Sequence, residues 1–187
     1  MSRNARHDSA DPAKAARSRP PVALLAATAA LACGLAGAQS KDLKAVDRVP
    51  TITLEAALPA AQAALADCRK RGAMVAVAVV DRSGVPVVVL RDPLAGMHTT
   101  DTAVRKAWTA VSFKGATTEL VGMTATGTAN SGIRHLPQVA MIGGGVLLRA
   151  AGSIVGGIGV SGAPGGDMDD ACAAAGLRQI EEALELG

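Results

Sequence analysis

A chain of 187 residues with one Trp, one Phe and no Tyr gives nucleic-acid bases almost nothing to stack on. Its formal charge of +3 is carried by the first 38 residues, whose five basic and two acidic side chains, taken from totals of 19 and 16, leave fourteen of each sign behind. No basic field remains for a phosphate backbone or an anionic lipid surface, so nucleic acid is not an expected partner.

Residues 1–38 read as a secretory signal peptide. Arg3, Arg6, Lys14, Arg17 and Arg19 precede an apolar run from Val22 to Leu35, and Ala36-Gly37-Ala38 supplies the small residues of a cleavage site. The run holds fourteen residues, short of the roughly 20 that span a bilayer as a helix, so no stable membrane span is expected after cleavage. Cys33 offers lipidation as a second reading, although Ala30 stands where such sites favour leucine. A periplasmic or secreted location is the expectation. A polar linker, 39–50, then leads to one domain over 51–187, a length that suits a single core.

Within that domain Thr53 can cap a helix running toward Arg71, with Leu54, Ala57, Leu58, Ala61, Ala64 and Leu65 at helical spacing. Met74 to Val80 and Val85 to Leu90 are apolar strands joined by Asp81-Arg82-Ser83-Gly84, which reads as a hairpin. A helix follows from Thr100 to about Phe113, and a less regular helical piece from Thr118. Strands are expected around Val139 to Ile142, Gly145 to Ala150 and Ser153 to Val160, before a last helix from about Asp167. Short hairpins cannot connect parallel neighbours, so this order implies an α+β fold with an antiparallel five-stranded sheet covered by helices. Cys68 and Cys172 fall on the first and last helices; a bridge between them and two separate buried thiols both remain open.

Gly157-Ile-Gly-Val-Ser-Gly162 satisfies the G-x-G-x-x-G pattern of dinucleotide sites. Its context fails, because the helix expected after it runs to the last residue and no second parallel strand follows to complete a βαβ unit. Glycines inside an apolar strand have a simpler use, the close approach of another backbone or of a flat ligand. Ser161 lacks the final glycine of a nucleophile elbow, and no histidine follows it. Asp167, Asp169 and Asp170 read as first-turn acids that cap free amides, with a metal site as the alternative.

Several blocks in order resemble the GlcG/HbpS group of haem-binding proteins: Leu54-Glu-Ala-Ala57, Val79-Val-Asp-Arg-Ser-Gly84, Gly96-Met-His-Thr99, Lys106-Ala-Trp-Thr-Ala110, Gly143-Gly-Gly145 and the tract from Gly152 to Gly176. Leu147 departs from the pattern, since family members usually carry proline there. The resemblance implies a profilin-like sheet between helices, assembly into homo-oligomers, and haem or a related tetrapyrrole as cofactor and partner. It also implies a haem site at Met97, His98, Thr99 and Lys106, with His98 and Thr99 as candidate iron ligands; no catalytic residue is assigned.

The residues themselves allow that site. The His98 imidazole and the Met97 thioether can ligate iron, the Thr99 oxygen is a weaker donor, and Thr102, Lys106 and Thr109 fall at i, i+4 and i+7 near a helix start, where an anionic group such as a propionate is favoured. The plainer readings are a helix-entry His98 that bonds locally and a solvated Lys106. His135 reads as a loop or interface residue, with a second ligand as its alternative, and Met123 and Met141 as core fillers or pocket lining. The functional expectation is an exported protein that sequesters or buffers haem and assists its oxidative breakdown. The alternatives are an accessory protein handling a small metabolite or corrinoid, and a non-catalytic assembly subunit.

Overall fold

A computed structural model describes residues 46–186; the expected signal peptide and most of the expected linker lie outside them. Helix α1, Leu54–Lys70, starts where the Thr53 hydroxyl accepts a hydrogen bond from the Ala56 amide at 3.4 Å. Strands β1, Ala76–Asp81, and β2, Pro86–Arg91, follow as a hairpin. The Asp81 carboxylate closes its turn by accepting from the amides of Ser83 and Val85 at 2.7 and 2.9 Å. After α2, Thr99–Phe113, come a short helix α3, Thr117–Met123, and a 3-10 turn at Ser131–His135. Strands β3, Gly145–Ala150, and β4, Ser153–Ser161, then lead to α4, Gly166–Glu185.

The sheet is antiparallel with order β2-β1-β4-β3. It has four strands among the described residues, not five. The expected strand at Val139 to Ile142 is irregular chain: the Val139 amide bonds back to the Leu136 carbonyl, and the Ala140 amide is taken at 2.9 Å by the Thr109 hydroxyl. Those donors are spent on a turn carbonyl and on α2, so no ladder forms there.

Helices α1 and α4 cover one face of the sheet and α2 the other. The alternation in β1 explains why both faces close. Val77 and Val79 point with Ile158, Val160 and Leu148 into the main core under α1 and α4, while Ala76 and Ala78 meet Ala103 of α2. On the α2 side the sheet is paved with small residues, and a Cβ added at Gly145, Gly157 or Gly159 would run into α2's own backbone or side chains. The glycines therefore serve a close backbone approach; what lies on them is a helix. Fully burying each Val, Leu or Ile on the opposite face contributes about 1.5–3 kcal/mol.

Cys68 and Cys172, both buried, form a disulfide between α1 and α4 with Cα atoms 5.5 Å apart. No described helix is long and apolar enough to cross a membrane.

Candidate functional site

The loop entering α2 is built to hold its shape. The buried carboxylate of Asp92 is paired with Arg69 at 2.5 Å, and the Asp92 amide bonds the Val75 carbonyl at 2.9 Å. Beyond it the Thr99 hydroxyl, on a residue only 1% exposed, donates to the Gly96 carbonyl at 2.7 Å, and the Thr102 hydroxyl donates to the His98 carbonyl at 2.9 Å. These bonds leave His98 at the N-cap of α2, with its imidazole folded back over Gly96, where an added Cβ would sit 2.8 Å from Cε1. Neither ring nitrogen has a hydrogen-bond partner among the described residues, and His98 is exposed. Met97 beside it is 92% exposed.

An open cleft of about 380 Å³ lies between this helix start and the Ser161–Gly166 loop. His98, Thr102 and the half-exposed Ile142 form its rim; Thr99, Lys106 and Asp169 line it more deeply. Lys106, 2% exposed, is neither a solvated charge nor an unengaged one. Its ammonium donates to the Asp169 carboxylate at 2.6 Å and to the Val160 carbonyl at 2.9 Å. Burial pushes the Asp169 carboxyl above the usual carboxylate range; the hydrogen bond and charge of Lys106, then the Ala163 amide, oppose that, and Asp170 adds to it.

The side-chain bonds of Asp169 and Asp170 reach beyond α4 rather than capping its amides. Gly165 holds the N-cap position with no side-chain bond. Asp169 reaches α2, and its other oxygen accepts from the Ala163 amide at 3.1 Å, fixing the cleft's far wall. Asp170 accepts from the Gly144 amide at 2.5 Å and from the Thr118 hydroxyl. Thr102, Lys106 and Thr109 share a helix face as expected, yet only the first two line the cleft, Thr109 being committed to Ala140. His135 is exposed on the 3-10 turn, Met123 is exposed at the end of α3, and Met141 is buried against Leu120 and Val139; none of the three lines this cleft.

From sequence alone Asp169, Ile142 and the Gly162–Gly166 wall have no part in this cleft: Asp169 reads as a capping acid or metal ligand and Ile142 as the end of a strand. One signal for Asp169 is present: Lys106 falls among Ala103, Ala107 and Ala110 on the core side of α2, and a lysine there demands an anionic partner.

A wider groove of about 530 Å³ runs between the β1–β2 turn and α2 past Trp108 and Arg105. Its guanidinium is already spent on the Pro137 and Gln138 carbonyls, with Asp101 at 3.7 Å. The cleft at His98 is a place where an imidazole without a hydrogen-bond partner meets a concave surface. The described residues hold no group of three His, Cys, Asp or Glu that could cage a bare metal ion. One partner-free imidazole beside exposed thioether and aliphatic side chains suits a metal already held by a macrocycle, which needs from protein only an axial donor and apolar contact.

Comparison with known proteins identifies the family. Residues 52–178 match the family described as haem degrading protein HbpS-like. A double mutant of HbpS from Streptomyces reticuli is 42% identical, with a TM-score of 0.67 over 71% of this chain and 89% of that one. The PduOC:haem complex is 32% identical, with a TM-score of 0.66 over 70% and 95%. Klebsiella pneumoniae ORFY is 28% identical, with a TM-score of 0.71 over 74% and 97%. The corrinoid adenosyltransferase PduO of Salmonella typhimurium is 41% identical over 90 residues, 47% of this chain but only 27% of that protein, so the chain spans about a quarter of its length. The chain belongs to the HbpS-like family of haem-degrading proteins.

Proposed function

We propose that this protein binds haem at the cleft beside His98, outside the cytoplasm, and sequesters or buffers it there. The observation that carries the reading is the exposed, partner-free imidazole on the cleft rim, in a fold that matches a haem complex of PduOC. A neutral imidazole keeps one ring lone pair for iron. Met97 and Ile142 supply apolar contact to the macrocycle, while Thr99 and Lys106 sit below and orient the rim rather than meeting iron directly in this conformation. Haem supplies the iron and its redox chemistry when bound. Support for oxidative breakdown comes from the family alone, and the electrons for it come from outside the chain. The leader-like sequence supports export, and the alanine-rich helices are compatible with a homo-oligomer.

Haemin titrated into the protein is expected to give a saturable Soret shift that His98→Ala weakens. An unchanged spectrum with the unsubstituted protein overturns the reading. A second reading, a corrinoid-handling accessory, is favoured by the likeness to part of PduO. Cobalamin displacing haemin at comparable concentration is the result that would prefer it.

A further inference from the structure

The Lys106–Asp169 pair is placed oddly for a purely structural bridge. It lines an open cleft, not the centre of the core, and a buried ion pair of this kind adds little to stability over well-packed apolar side chains. An ammonium carries three donors, of which Asp169 and the Val160 carbonyl take two. Gly144, with φ +113°, lies so close that an added Cβ would stand 3.0 Å from Nζ and 2.7 Å from the Asp169 Cβ, so bare backbone seals the pair from behind. What remains open is the cleft side. Two helix starts, neither with a side-chain cap, border that side at His98 and Gly165 and favour negative charge there.

An incoming carboxylate would therefore meet a favourable field and a lysine, but also a carboxylate already on that lysine. Two carboxylates sharing one site do not both stay ionised. The charged and titratable groups around Asp169 are Lys106 and, at the cleft rim, His98 from α2, and Asp167 and Asp170 from α4 itself; β4 and the turn before β3 offer backbone and Ser161. Asp169 is already the acid whose charge burial disfavours.

We propose that the cleft takes a carboxylate-bearing ligand in exchange for protonation of Asp169: the ligand's carboxylate joins Lys106, and Asp169 draws one proton from solvent. Charge balances, since one anion and one proton enter together. The inference deepens the haem reading, in which the propionates are the carboxylates, yet it concerns Lys106 and Asp169 and not the iron ligand.

The test compares haemin with haemin dimethyl ester, and iron-free protoporphyrin with its dimethyl ester, by calorimetry in two buffers of different ionisation heat. The free acids are expected to bind with uptake of about one proton and with affinity rising toward tenfold per unit fall in pH, while the esters show neither. Any titration of His98 enters the acid and ester of haemin alike and cancels in their difference. Asp169→Asn should abolish the uptake. If loss of one partner unfolds the chain, the paired Lys106→Met and Asp169→Asn variant should fold, take up no proton and no longer prefer acid over ester. Equal uptake by acid and ester, uptake retained without Asp169, or no binding of either free acid overturns the exchange. Binding of protoporphyrin acid with uptake, but no Soret change with haemin, would sink the iron ligand and leave the exchange standing.

Discussion

Gly159 of β4 lies directly against the backbone carbonyl of Ala103 in α2, with no side chain between them. The contact sets how closely α2 sits on the sheet, and α2 carries His98 at its start and Lys106 along its length. Gly159→Ala must push the helix outward or distort β4. The expected cost is about 1–3 kcal/mol, as for other overpacked cores. Gly122→Ala, in α3 with nothing near its Cβ position, is the control and should be stabilising by about 0.5–1 kcal/mol. Urea midpoints of the two variants measure the difference.

The Thr109 hydroxyl is the acceptor for the buried Ala140 amide. Thr109→Val keeps the shape and removes the acceptor, so a loss of about 1–3 kcal/mol is expected, the cost of an orphaned buried donor. Thr109→Ser should retain most of the stability. Because the same loop carries Ile142 to the cleft rim, faster amide exchange at Ala140 in the valine variant is the local readout.

The sign of the pH effect at Asp169 follows from burial. Its carboxyl is raised above the ordinary value in the folded chain, so between the ordinary and the raised value the folded state holds more protons than the unfolded one. This group's contribution therefore falls as pH rises through that window and is constant above it. Unfolding measured across the acidic range should show that downward slope, superimposed on the other carboxylates, and Asp169→Asn should remove it.

His98→Ala should weaken haemin binding by about tenfold or more, the scale of one lost interaction of ~1.4 kcal/mol, while His135→Ala, whose imidazole lies outside the cleft, should leave the Soret titration unchanged. Equal effects of the two would remove the assignment of this cleft.

Much of this was legible before any coordinates. The hairpin at Asp81–Gly84, the helix expected from Thr100 and the apolar strand ending at Val80 are local patterns, and local patterns survive folding. Lys106 is legible as a candidate propionate partner or a solvated helix charge, but not as half of a buried ion pair. Its partner lies 63 residues away on α4, and no spacing rule reports such a contact. The stretch Val139–Ile142 is apolar enough for a strand, yet Thr109 takes its amide, a tertiary competition that hydrophobicity does not encode. The glycines of β4 signal close approach in the sequence, but only the fold shows that the visitor is α2.

The Cys68–Cys172 bond closes a ring 104 residues apart in sequence. In the chain-entropy account a loop of that size contributes about 4.7 kcal/mol, so reductant should lower the urea midpoint substantially, and the Cys68→Ala, Cys172→Ala variant should match the reduced protein.

That ring has a further consequence. All four strands, α2 and α3 lie inside it. A protease that nicks the exposed stretch around Thr126 to Gln138 would cut the polypeptide yet release nothing: the two pieces stay covalently joined through sulfur. The disulfide-bonded protein can thus be clipped once in the longest irregular connection among its described residues and still migrate as one molecule until a thiol is added.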